Sequence, residues 1–397
     1  MSSWQQGTSV TCPEFGLILA CARSAARGEP DVGIAALLTK SLDWENLLQL
    51  SKAHGLLSIV AEQLRSFDSQ IPPHFVRCLR KAALVNAGRN LLLSAELHRT
   101  ALALTQAGIQ FVPYKGVVLE EQLYGSFGLR EVNDIDLIVN EDDRRKTIAC
   151  LEALGYESAY PLPLHLQEAA MRYTKEWPYL RDGLTVDLHW RIIQKPSWPS
   201  LDMAAIWREL QSMSWQSMDV RTLAPPALLT ALGVHASEHG WSQLRLFTDI
   251  AAVIHRFPNL DWEQVEELVA DSQSRRSLFV SLWLSRLYFE AALPDRILRE
   301  IRADSQVARI AECVVRSWTR PTALPYGGLR WLLFRTAGER SLDRLRFILS
   351  LMFLPAVVDY QSLRLPPGLV WGYFVWRPVR LLFKLLRTPT STAPASR

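Results

Sequence analysis

All of the strand signal in this chain of 397 residues falls between about residues 109 and 190, and that confinement limits the fold more than any other feature. Residues 109–114 form a short apolar run bounded by Gly108 and Lys115-Gly116, and read as a strand. Residues 117–124 fit a helix, 134–139 a second strand, and 142–154 a second helix closed by Gly155. Residues 178–181 and 184–190 flank Asp182-Gly183, a pair that favours the two-residue turn of a hairpin. On either side the periodicity is helical, over 13–108 and again from about 201 to 318. The expected architecture is α+β, a small mixed sheet embedded in a predominantly helical protein.

Local signals place several helix ends. Asp43 is suited to cap a helix through Trp44, Leu47, Leu48 and Leu50, and Gly55 interrupts it before residues 56–67 resume. Pro72-Pro73 opens a long stretch ending at Gly108, with Gly88 as a place where it can bend. Pro225-Pro226 starts a later helix and Phe257-Pro258 breaks another. Four regions follow: an N-terminal helical region (1–90), the mixed-sheet core (91–195), a helical domain (196–320) and a basic, aromatic-rich C-terminal region (321–397).

With 49% hydrophobic and 21% charged residues, the chain has the composition of a folded protein rather than a disordered one. Its net charge of +4 is too small to argue for nucleic acid, but it is unevenly placed. Residues 320–397 hold 12 basic and 3 acidic residues, leaving 32 basic against 37 acidic in the rest. Cys12, Cys21, Cys78, Cys150 and Cys313 are scattered and lack CxxC spacing, which predicts reduced thiols and a cytoplasmic setting rather than disulfides or a zinc site. The first 16 residues contain no Lys or Arg, so no signal peptide is expected. No apolar run reaches the roughly 18 residues of a spanning helix.

The chemistry is concentrated in Asn133-Asp134-Ile135-Asp136-Leu137-Ile138-Val139. Alternate residues of a strand share a face, so Asp134 and Asp136 are expected to project together from a half-buried strand. Two adjacent like charges oppose each other's ionisation, and a shared divalent cation with hard oxygen ligands, Mg²⁺ or Mn²⁺, relieves that cost. Within Val186-Asp187-Leu188-His189-Trp190, the pattern turns Asp187 and His189 away from the apolar face. A third carboxylate on a neighbouring strand can hold a second ion or accept the proton of an attacking hydroxyl. Lys115-Gly116 stands at a strand-to-helix turn, where backbone N–H groups favour phosphate. The plainer readings are turn or edge-strand acids at Asp134 and Asp136, an exposed hairpin acid at Asp187, and a hydrogen-bonding rather than ligating His189.

These residues resemble the polymerase-beta-like nucleotidyltransferase superfamily, and more closely a bacterial family of uncharacterised nucleotidyltransferases. The resemblance rests on Lys115-Gly116, Leu123-Tyr124, Gly128-Leu129-Arg130, the Asp134 to Val139 strand, Leu154-Gly155-Tyr156 and the Val186 to Trp190 strand. It extends to Asp43-Trp44, His54-Gly55 and the stretch from His235 to Asp249, covering about residues 15–300. It implies metal-dependent attack of an acceptor hydroxyl on the α-phosphate of a nucleoside triphosphate (NTP), with release of pyrophosphate. Asp134, Asp136 and Asp187 are the implied catalytic and metal-binding residues. Lys115, Gly116 and Arg130 are the implied nucleotide contacts, unless Arg130 pairs with Glu131 or the carboxylates. Gly125-Ser126 is the other candidate for the phosphate turn, or else the cap of the preceding helix.

Other features leave the acceptor open. His235 and His239 share one helix face, either packing or touching the acceptor, and Asp249 is expected to cap or pair within that helical layer. The acceptor could be a metabolite, a glycan precursor, a peptide, a protein or an RNA end, although the near-neutral body carries no strong nucleic-acid signature. A non-catalytic nucleotide-binding scaffold and a toxin-like transferase acting on tRNA are the rival readings. Residues 340–390 allow peripheral membrane contact: Leu381, Leu382, Leu385 and Leu386 share a helical face against Arg380, Lys384 and Arg387. The alternative is a C-terminal helix packed on the protein with its basic side in water. Residues 388–397 read as disordered.

Overall fold

The pairing of the strands follows from short apolar runs that need cover on both faces. The structure is a computed structural model that describes residues 12–193, 201–270, 274–318 and 341–387. Five strands form one mixed sheet: β1 (Phe111–Pro113), β2 (Ile135–Val139), β3 (Glu157–Ser158), β4 (Glu176–Arg181) and β5 (Leu184–His189), in the order β1-β2-β5-β4-β3. β1 runs antiparallel to β2, β2 runs parallel to β5, and β5 forms the expected hairpin with β4. Asp182 and Gly183 both take positive φ, 50° and 77°, as that tight turn requires. The α+β architecture is therefore present as expected.

Around the sheet lie α1 (Pro13–Arg27), α2 (Gly33–Leu38), α3 (Trp44–Ala53), α4 (Leu57–Gln63), α5 (Pro73–Gln106), α6 (Gly116–Tyr124), α7 (Arg144–Ala153), α8 (Leu164–Met171) and α9 (Met203–Arg208). The later helices are α10 (Pro225–Glu238), α11 (Leu244–Arg256), α12 (Trp262–Ala270), α13 (Arg275–Phe289), α14 (Asp295–Ala303) and α15 (Ser305–Trp318). They are followed by α16 (Ser341–Phe353), α17 (Val357–Ser362) and α18 (Tyr373–Arg387). Asp43 caps α3 as its sequence suggests, accepting from the backbone N–H of Glu45 and Asn46.

Two apolar cores sandwich the sheet. One gathers Ile135, Leu137 and Val139 with Leu93 and Leu97 of α5, Leu151 of α7 and Leu166 of α8. The other takes Val112 and Ile138 from the opposite face and joins them to α1–α4 and α10–α15. The helices before and after the sheet thus share one core. β2 is consequently buried along its whole length rather than half-buried, which deprives Asp136 of water and makes its partners obligatory.

α5 continues without interruption through Gly88 for 34 residues. One expectation is corrected. The region after Leu201 is not purely helical, because β6 (Gln211–Trp215) and β7 (Met218–Thr222) form a separate hairpin packed against β1. Its turn residues Gln216 and Ser217 take φ of 45° and 65° without the Asn-Gly signature that usually marks such a turn. The signal that existed was alternation, with Trp215, Val220 and Thr222 buried.

The long helix α5 fixes the loop that leads into β2. Asn86 Nδ2 donates to the Gly128 and Arg130 carbonyls at 2.9 and 3.1 Å. Arg89 donates to the Asn133 carbonyl at 2.8 Å. Asn90, fully buried, donates to Glu120 Oε2 and to the Arg130 carbonyl, both at 2.9 Å. Glu120 Oε1 in turn accepts the Arg130 N–H at 2.7 Å. Asn90→Ala should leave Glu120 and the Arg130 carbonyl short of a donor and lower stability by about 1–3 kcal/mol. Chemical denaturation should detect the loss, and an unchanged midpoint would show that this bond does not hold the loop.

Candidate functional site

The site begins where β1 ends. Because β1 lies beside β2, the turn after Pro113 passes next to Asp136, and the Tyr114 N–H reaches the Asp136 carbonyl at 3.4 Å. Lys115 is the N-cap residue of α6, and Gly116 opens the helix with φ of +66°. A side chain at Gly116 would have room, so the backbone angle is what calls for glycine there. Gly125 closes the same helix in the left-handed conformation, donating to the Glu121 carbonyl at 3.1 Å. Of the two candidate phosphate turns, Lys115-Gly116 stands at the helix start beside the carboxylates.

The parallel register of β2 and β5 sets Asp136 directly opposite Asp187 and Ile138 opposite His189. Asp136, Asp187 and His189 each offer a ligand atom, all within 4.8 Å of one another. Asp134 stands just ahead of β2 and outside that trio, although its charge is felt at Asp187 and it feels that of Asp136. Strand periodicity had assigned Asp134 and Asp136 to one strand face; the strand starts one residue after Asp134.

Asp136 Oδ1 is the hub. Lys115 Nζ lies 2.9 Å from it, and His189 Nε2 is also at 2.9 Å. The Lys115 ammonium also sits 4.8 Å from the centre of the Tyr114 ring. His189 Nδ1 is 3.1 Å from Glu176 Oε2, in ion-pair range but without hydrogen-bond alignment. Lys175 follows, 3.6 Å from Glu176 and 2.5 Å from Glu238 on α10. Basic and acidic side chains therefore alternate from Lys115 through Asp136, His189, Glu176 and Lys175 to Glu238.

This network separates the carboxyls electrostatically. Burial alone would raise the Asp136 pKa, but Lys115 and His189 reverse that and hold it below the usual carboxylate range. At Asp187, burial, then the Asp136 charge, outweigh the opposing pull of His189 and push the carboxyl up to about 7. Asp134 is raised by burial and by Asp136, with Lys115, Arg130 and Arg245 opposing. Burial and the nearby Lys115 charge lower His235 well below its ordinary value, and burial first, then Lys115, draws His239 down to about 4. These two rings, 4.4 Å apart, are hence neutral imidazoles near pH 7.

Arg130 is engaged differently from either expected pairing. Its Nε lies 3.1 Å from Asp249 Oδ2, and Tyr124 donates to the other Asp249 oxygen at 2.7 Å. Asp249 thus pairs across to α6 and the β2 loop rather than within its own helical layer. Glu131 instead accepts the Leu57 N–H at 2.8 Å. Sequence reading missed Lys175, Glu176 and Glu238. Starting β4 at Pro178 hid Glu176, which the register places opposite His189.

The donor set suits a divalent cation. Asp136 and Asp187 present carboxylate oxygens side by side, and a cation between them would remove the repulsion that raises Asp187.

The sequence model of a family described as "Uncharacterised nucleotidyltransferase" matches residues 40–290. No curated protein matches the chain. Among solved structures, the solution structure of the antibiotic-resistance factor ANT(2'')-Ia is similar at 16% identity and a TM-score of 0.33. That likeness covers 50% of this chain and 96% of the other, and is too loose to carry an argument.

The raised Asp187 carboxyl has a consequence for stability. Between about pH 4, where an unfolded Asp titrates, and about pH 7, the folded protein keeps a proton that the unfolded chain has lost. Stability contributed by this group therefore falls as pH rises through that window. In chelator-treated protein at pH 8, Asp187→Asn should raise stability by about 1–3 kcal/mol after allowance for partial exposure. The gain should vanish near pH 4; a melting temperature equally shifted at both pH values would refute the assignment.

Proposed function

This chain belongs to the uncharacterised nucleotidyltransferase family, and we propose that it transfers a nucleoside monophosphate from an NTP to a hydroxyl of an acceptor, releasing pyrophosphate. The observation that carries this reading is the pair Asp136 and Asp187, set side by side on parallel strands with opposite pKa displacements. The ionised Asp136 is suited to hold a cation at any physiological pH. Asp187, the carboxylate beside it, is suited to share that cation and to take a proton from the acceptor hydroxyl.

Asp136 and Asp187 would hold Mg²⁺ or Mn²⁺, with Asp134 as the third carboxylate at the entrance to β2. A divalent ion there supplies neutralisation of the charge that develops on the transferred phosphoryl group. Imidazole suits later transition metals better than Mg²⁺, so a Mg²⁺ site goes with His189 remaining bonded to Asp136 and orienting it. The acceptor hydroxyl gives its proton to Asp187 as its oxygen bonds to the α-phosphorus. The bond from that phosphorus to the bridging oxygen breaks, and pyrophosphate leaves.

Lys115 and Arg130, with Gly116 at the helix start, are the nucleotide contacts in this reading. Lys115, Arg130 and Arg245 all act on Asp134 as positive charge, so the entrance to the carboxylates favours a polyanion. The C-terminal side of β1 and the N-terminus of α6 offer backbone donors to the same anion. A scaffold without turnover would gain nothing from three acids held at the cost of burial.

Incubation with each α-labelled NTP, Mg²⁺ and cell extract should transfer label to an acceptor. Asp136→Asn should reduce that transfer at least ~100-fold, and chelation should abolish it. Label surviving Asp136→Asn would eliminate the proposed ligand, and label landing on RNA would favour the tRNA-directed rival.

A further inference from the structure

The C-terminal helices present their apolar sides to solvent. On α16, Leu345, Ile348, Leu349, Met352 and Phe353 recur at helical spacing, each 38 to 52% exposed. On α18, Val375, Val379, Leu382 and Phe383 do the same, 38 to 59% exposed. Trp371, in the turn just before α18, is 65% exposed. No helix among the described residues is long and apolar enough to cross a membrane.

The opposite side of α18 is docked. Tyr373 is fully buried, with its ring 4.2 Å from that of Tyr360 and its hydroxyl donating to the Leu363 carbonyl at 2.6 Å. Arg377 and Arg380 turn to Asp359, itself fully buried, with Arg377 at 2.9 Å. Arg377 also donates to the Leu351 carbonyl at 2.8 Å, tying α18 to α16. Phe374 meets Tyr173 edge-on at 5.7 Å, and His165 Nε2 lies 3.1 Å from the Leu365 carbonyl, so the helices are mounted on the sheet-bearing part of the protein. A surface helix normally buries its apolar stripe and solvates its charges. Here two of the arginines face inward and the stripe faces outward.

We propose that α16, α18 and the turn bearing Trp371 form a docking surface for an anionic lipid membrane, with the helices lying in the headgroup plane. Charge selects this occupant. Residues 341–387 carry seven basic and two acidic residues, and one of those acids, Asp359, is internally neutralised by Arg377 and Arg380. A second copy presenting the same face would bring excess positive charge against excess positive charge. Residues 319–340 contain four arginines and one acid, and so are no better complement. An anionic bilayer supplies an apolar layer for the exposed stripe and negative charge against the segment, which stays net positive once Arg377 and Arg380 are paired with Asp359. Tryptophan is enriched at such interfaces, which fits the exposure of Trp371.

The full chain should float with phosphatidylcholine vesicles containing phosphatidylglycerol and at least ~10-fold less with phosphatidylcholine alone. Joint Leu349→Glu and Phe383→Glu substitution, at exposed sites that leave the docked side intact, should lose flotation with an unchanged circular dichroism spectrum. Failure of the unmodified chain to float, equal flotation with both vesicles, or flotation retained by a folded variant would each overturn the proposal. So would self-association of the unmodified chain in sedimentation that the substitutions relieve, since a second copy would then cover the face. If the double variant does not fold, the contrast between the two vesicles decides.

Discussion

One buried carboxylate organises this molecule. Asp136 lies on a strand covered on both faces, where a charge without partners is expensive. Lys115 and His189 bind the same oxygen, and their own placement depends on the turn after β1 and the register of β5. Shifting that register by one residue would turn Asp187 and His189 to the other side of the sheet. The polar site and the apolar sandwich are therefore specified together.

The alternation of basic and acidic side chains from Lys115 to Glu238 extends this logic into the helical body. Glu238 is on α10, which also carries His235, and both lie across from the sheet. The neutral state of His235 and His239 follows first from burial and then from Lys115, which also holds Asp136 ionised. Acid–base character at the site is thus set by contributions from the sheet and the helical layer jointly.

Much of this was legible in the sequence, for identifiable reasons. The strand at Asp136, the Asp182-Gly183 turn and the Asp43 cap are local signals, and each produced the element it announces. The pairing of Asp136 with Asp187 was anticipated because both sit in apolar strands of one small unit. What was not legible depends on pairing at a distance. Glu176 matters only through its register with His189, and Asn86, Arg89 and Asn90 read as an ordinary helix face until the loop they hold is placed beside them. The β6–β7 hairpin escaped because Gln216-Ser217 adopts a glycine-like turn without glycine. In the C-terminal helices, a basic side formed by Arg380, Lys384 and Arg387 in water was one natural expectation, and a buried Asp359 reversed it for Arg380.

The shared core of the flanking helices carries a mechanical implication. The chain leaves that core, folds the sheet, and returns to the same core, so the catalytic unit is clamped at both its entrance and its exit. Loosening either half of the helical body withdraws support from one end of the clamp. Damage far from Asp136 should therefore reach it through lost support of the clamp rather than through any dedicated path.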